Sequence, residues 1–130
     1  MTHYYRIVGA PTALARCRYS RKTSKVFNSQ SQLQLVIGIS MKNQHNNKPM
    51  LKCPLSMKVI FHFKPPKQHY NSRLNTSHTQ TPDLDNCIKM YADIAQQAGI
   101  ICNDSFIAHI DASKVWSDDE YTEIWFEEME

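Results

Sequence analysis

Asp83 and Asp85 stand one residue apart in the stretch TPDLDN, directly ahead of a helical pattern, and they are the first acids in the chain. Two kinds of work suit such a pair. As helix caps, Asp85 would accept hydrogen bonds from the amides of Cys87 or Ile88 and Asp83 would favour the positive helix end, each contributing about 1 kcal/mol. As metal ligands, they would hold a hard cation such as Mg2+, which takes carboxylate oxygens together with waters and substrate phosphate. Neither helix start completes a capping box, because residue 84 is Leu and residue 88 is Ile. Lys89 follows Asp85 by one helical turn and Asp93 follows Lys89 by another, spacing that also suits an exposed ion-pair ladder. Asp104 can supply a third carboxylate if the strand after Gly99 returns beside the helix start. Three like charges about 4 Å apart repel by ~4 kcal/mol per pair at an effective dielectric of about 20, so a cluster of this kind is a reason for a cation.

The charge distribution points to a polyanion. Residues 1–80 contain thirteen lysines and arginines and no acid, whereas residues 81–130 contain all twelve acids and only Lys89 and Lys114. A long stretch of one sign repels itself unless it meets the opposite charge, either in nucleic acid or in the other half of the fold. The basic candidates for phosphate contacts are Arg16, Arg18, Arg21 and Lys22 in one loop and Lys64, Lys67 and Arg73 in another.

The elements that must position these groups are legible in outline. At 130 residues the chain fits one compact domain over residues 1–130. YYRIV reads as a short strand, followed by a basic loop containing Pro and Gly. Leu33, Val36, Ile37 and Met41 recur at helical spacing between about Ser29 and Lys42. Met57, Val59, Phe61 and Phe63 alternate as a half-exposed strand, with His62 on its polar side. The eighteen residues PPKQHYNSRLNTSHTQTP have no periodicity and read as a basic arm that orders on a ligand. Leu84, Ile88, Tyr91, Ala95 and Ala98 trace a helical face that Gly99 can stop. A strand is expected from about Phe106, then an acidic SDDE turn and a final antiparallel strand, YTEIWFEE. The order β-α-β-α-β-β predicts an α+β domain of two layers, helices packed on a mixed β-sheet.

The segment PDLDNCIKMYADIAQQAGIICNDSFIAHIDASKVW, residues 82–116, resembles the signature of the RusA family of Holliday junction resolvases. That signature is PDLDN-x-x-K, an acid in the next helical turn, an acidic pair followed by Ser, and a later lysine. The basic loop GAPTALARCRYSRKTSKVF is similar to a loop found in part of the family. The resemblance implies that Asp83, Asp85 and Asp104 are metal-binding catalytic aspartates and that Lys89 is the catalytic lysine. It further implies Mg2+, with Mn2+ as a substitute, as the cofactor, branched DNA as the partner and a homodimer as the working unit. Asn103 stands where many relatives have the first acid of the pair, and Thr81 stands where a basic residue precedes the proline. Lys114 matches a recurring basic position to which no role is assigned.

Other residues take quieter readings. Cys17, Cys53, Cys87 and Cys102 show no C-x-x-C spacing and read as reduced thiols. The six histidines lack metal-motif spacing and read as surface or loop residues, with His69 and His78 as candidate DNA contacts. Trp116 and Trp125 suit strand core or a dimer interface. No apolar run approaches the roughly 20 residues that span a bilayer. No signal-peptide layout opens the chain, so a cytoplasmic protein without membrane attachment or small-molecule cofactor is expected. The expected activity is Mg2+-dependent cutting of four-way junctions. The competing readings are a nuclease for flaps, duplex or RNA, a silent DNA binder, and a protein-interaction module.

Overall fold

A computed structural model describes residues 1–15 and 30–129, together with the backbone of 18–20 and 25–27. Strand β1 (Thr2–Val8) is followed by a small hairpin of β2 (Arg18–Ser20) and β3 (Lys25–Phe27), then helix α1 (Ser31–His45) and strand β4 (Leu55–Phe63). A short helix α2 (Tyr70–Arg73), helix α3 (Leu84–Gln97), and strands β5 (Ile107–Trp116) and β6 (Tyr121–Glu128) complete the order. The main sheet runs β1-β6-β4-β5, with β4 and β5 parallel and the other pairs antiparallel. The architecture is the expected α+β arrangement on a mixed sheet. The final strand is antiparallel as its alternation suggests, but it inserts between β1 and β4 instead of pairing with β5.

Alternation explains which sheet face is covered. Leu55, Met57, Val59, Phe61 and Phe63 of β4 are buried, and Ile124 and Phe126 of β6 join them. Against this face lie Cys87, Met90, Tyr91, Ile94 and Ala95 of α3 and Ile37 and Met41 of α1. Gly99, at φ +76, ends α3 in the left-handed conformation that glycine adopts without steric cost.

Helix α1 forms where its spacing predicts, yet its buried stripe is Gln34, Ile37, Gly38, Met41 and His45. Leu33 and Val36, expected in the core, are exposed beside Leu35 and Ile39. The first half of α1 is apolar on every side, so periodicity alone does not choose its face.

Segment 65–82 carries more regular structure than its polar composition suggests. Lys67–His69 forms a 3-10 turn leading into α2. The following residues then pair with the end of β5: Asn75 N–H donates to the Trp116 carbonyl, Trp116 N–H to Thr76 and His78 N–H to Lys114. His78 is buried, its ring 4.1 Å from both Phe63 and Trp116. It plugs the core and is no surface contact. His3 and His45 are likewise buried, the latter bonded to the Tyr5 hydroxyl at 2.6 Å. In each case packing against aromatic rings overrides the polarity that suggested a surface position.

Burial, then the nearby Lys114 and Arg73 charges, lower the pKa of His78 below its usual 6.5. As pH falls below that value the unfolded chain takes up the proton first, so the stability His78 contributes is complete above it and is lost toward the lower folded value. Thermal melts should therefore show a midpoint that falls between pH 7 and 5. His78→Phe, which keeps a ring between Phe63 and Trp116, should flatten part of that fall, and an unchanged pH profile would contradict the assignment.

Candidate active site

The β4–α3–β5 crossover places the start of α3 near the carboxyl ends of two parallel strands, where α/β sheets commonly bind ligands. Asp83 is the N-cap of α3 in extended conformation, at φ −70 and ψ 142, and Asp85 lies in the first helical turn. Asp83 makes no side-chain capping bond. Among the described residues neither carboxylate has a hydrogen bond or an ion pair; the two ion pairs found belong to His3 with Glu128 and His62 with Glu123. The capping reading would have Asp85 accept from the amides of Cys87 or Ile88, and among the described residues no such bond forms, while Asp83 does stand at the positive helix end. Both carboxylates are exposed at the helix mouth. Their field reaches the buried Cys87, whose thiol pKa is pushed up to about 11 by burial first, with Asp83 and Asp85 adding to it and Lys114 opposing. This thiol stays protonated and unreactive at neutral pH.

Lys89 is exposed one turn beyond Asp85 and among the described residues forms no ion pair, so the ladder with Asp85 and Asp93 is not closed. Asp104 comes back beside α3, but toward its far end: its amide donates to the Gln96 side chain at 2.9 Å. Its charge is felt by Asp93, whose pKa is raised by burial and then by Asp104, with Lys89 opposing. Asp85 and Asp93 are eight residues apart, about 12 Å along a helix axis. The structure thus brings Asp83, Asp85 and Lys89 to one end of α3 and sets Asp104 near Asp93. Among the described residues no three His, Cys, Asp or Glu side chains are grouped so as to hold a metal ion. The donors at the mouth nevertheless suit a hard cation, since magnesium is commonly held by one or two carboxylates plus waters and phosphate oxygens. Asp93, whose spacing from Lys89 suits an ion-pair ladder, instead shares this acidic face with Asp104.

Of the basic candidates, Lys64 and Lys67 are exposed. Arg73 is half-buried, with its guanidinium 5.4 Å from the Trp116 ring centroid, and so is partly committed to packing. Arg16, Arg21 and Lys22 lie outside the described residues, and Arg18 is described only in its backbone. The base of their loop is fixed. Gln30 accepts from Ala15 N–H at 2.8 Å and donates to the Ala13 carbonyl at 2.9 Å. Leu14 N–H in turn donates to the Asn86 carbonyl in the first turn of α3. The cation-rich segment therefore springs from the same place as the free carboxylates. Among the described residues no lysine or arginine forms an ion pair with an acid.

Unpaired acids, a nearby ammonium and the root of a basic hairpin at one helix mouth are the makings of a site that works on a phosphate backbone. A family model, Endodeoxyribonuclease RusA, matches residues 9–127, and the chain belongs to this family of DNA endonucleases. No curated protein matches the sequence. Among the described residues no helix is long and apolar enough to cross a membrane.

Proposed function

We infer that this chain is a magnesium-dependent endonuclease that resolves four-way DNA junctions, working as a two-fold dimer within residues 1–130 as one domain. The observation that carries the reading is the pair of free carboxylates, Asp83 and Asp85, on a chain of the RusA family. Asp83 and Asp85 would hold the ion, and Asp104, of the same chain or of a second copy, would join them in the complex with DNA. The ion, when bound, supplies Lewis-acid polarisation of the scissile phosphate and a more acidic water.

The chain's own groups supply position and charge. Lys89, unpaired and one turn away, sits where it can offset negative charge developing on the phosphoryl oxygens or leaving group. Lys64 and Lys67, with Arg16, Arg18, Arg21 and Lys22 from the loop rooted at Gln30, hold backbone phosphates, contacts that orient DNA without reading sequence. Two symmetric cuts call for two sites related by a two-fold axis.

A cleavage assay on a four-way junction, a flap and a plain duplex of equal length, each with Mg2+ and with chelator, tests this reading. Paired nicks at symmetric positions, confined to the junction and dependent on Mg2+, are expected. Equal cutting of the duplex would contradict junction selectivity, and binding without nicking would contradict the catalytic assignment.

A further inference from the structure

Lys114 is half-buried near the carboxyl end of β5, and its ammonium donates to two main-chain carbonyls, Gln80 at 2.6 Å and Pro82 at 2.8 Å. These carbonyls belong to the residues that lead directly into Asp83. Upstream, the segment is held by main-chain bonds, with Asn75, Thr76 and His78 paired to Trp116 and Lys114 and Ser77 bridged to Val115. Beyond His78 that ladder stops. Among the described residues no main-chain hydrogen bond holds residues 79–82, and the Lys114 side chain takes over where the backbone contacts end.

The placement is costly for the helix alone. A cation near a helix N-terminus opposes the macrodipole, so an ammonium there does not stabilise α3 by its charge. Its charge is felt by both Cys87 and His78, which places it between the first turns of α3 and the plugged segment. What it gains is two carbonyl acceptors and the neighbourhood of Asp83 and Asp85. What the segment gains is a fixed path from the sheet to the N-cap.

We propose that Lys114 is a positioning residue: it latches the carbonyls of Gln80 and Pro82 to β5 and thereby fixes Asp83 and Asp85 at the mouth of α3. This rests on the reading of those acids as the reactive pair. The latch acts through hydrogen bonds, so donor capacity matters more than charge. Arginine can present two N–H groups to two carbonyls, glutamine keeps donors without charge, and methionine keeps only the stem. A 1 Å misplacement of reacting groups can lower a rate by about a hundredfold, so a loosened segment is expected to slow cleavage strongly.

The test compares Lys114→Arg, Lys114→Gln and Lys114→Met with the parent chain in three measurements. These are junction affinity in metal-free buffer over a range of salt, cleavage rate at saturating protein with Mg2+, and hydrogen exchange of the amides of residues 79–87. Cleavage should fall in the order parent, Arg, Gln, Met, with the last lower by about tenfold or more. Junction affinity and its salt slope should stay near those of the parent, and exchange should quicken over 79–87 in the Met variant. If the Met variant does not fold, the order parent, Arg, Gln decides alone. Parent-like cleavage by the Met variant, or by the Gln variant if Met does not fold, overturns the proposal, as does an Arg variant slower than Gln. A salt slope reduced by about one would make Lys114 a phosphate contact instead. Absence of Mg2+-dependent cleavage in the parent chain would sink the functional reading itself, and quickened exchange in the Met variant would then still report the latch.

Discussion

Asp83→Asn, Asp85→Asn and Asp104→Asn, made singly, are expected to lower junction cleavage by about a hundredfold or more each, while junction affinity without metal stays the same or rises. Asparagine keeps the size of aspartate and removes the charge that a hard cation requires. All three side chains are exposed and none has a hydrogen bond or ion pair among the described residues, so the thermal midpoint should barely move. Affinity should not fall, because a negative charge near DNA phosphate has been removed. The Asp104 variant is the most discriminating, since this acid lies toward the other end of α3, beside Gln96. Cleavage retained in that variant alone would leave Asp83 and Asp85 as a two-carboxylate site. Equal loss of folding and binding in all three would mean that these acids are structural.

Lys89→Met should produce the second large effect, a loss of about a hundredfold in cleavage with little change in stability. An ammonium engaged in an ion-pair ladder would cost stability when removed, but Lys89 is exposed and has no ion pair among the described residues. Its value lies in charge that develops on the phosphate, a contribution of electrostatic type that mutagenesis commonly finds at about 10²–10³ in rate. Single-turnover cleavage at saturating protein separates this from binding. A Met variant that cleaves normally, or one that loses junction affinity in the same proportion, would argue against the role.

The α+β class and both long helices were legible because their patterns are strong, Met57 to Phe63 alternating and Leu84 to Ala98 recurring at helical spacing. The pairing of the acids in a helix-start segment was equally plain. Three things were not. The aliphatic run in α1 offers more apolar positions than one face can bury, so only packing shows that Ile37 and Met41 face inward while Val36 does not. The arm at 65–82 has a polar composition, yet the His78 ring packed between Phe63 and Trp116 and main-chain bonds to the end of β5 pin it. Long-range main-chain partners such as Trp116 and Lys114 leave no local mark. The third limit concerns Asp104: sequence spacing gives the distance along the chain, whereas the antiparallel return after α3 carries that residue back only as far as Gln96 and Asp93.

A divalent ion bound with junction DNA is expected on the carboxylates of Asp83 and Asp85, with Asp104 recruited to it. The most direct measurement is the anomalous signal of Mn2+ in crystals of the protein with a four-way junction. A peak is expected about 2.1 Å from oxygens of Asp83 and Asp85, with an Asp104 carboxylate at the same ion and a DNA phosphate beside it. A manganese peak elsewhere, or an empty mouth at α3 in crystals whose DNA is correctly seated, would contradict it.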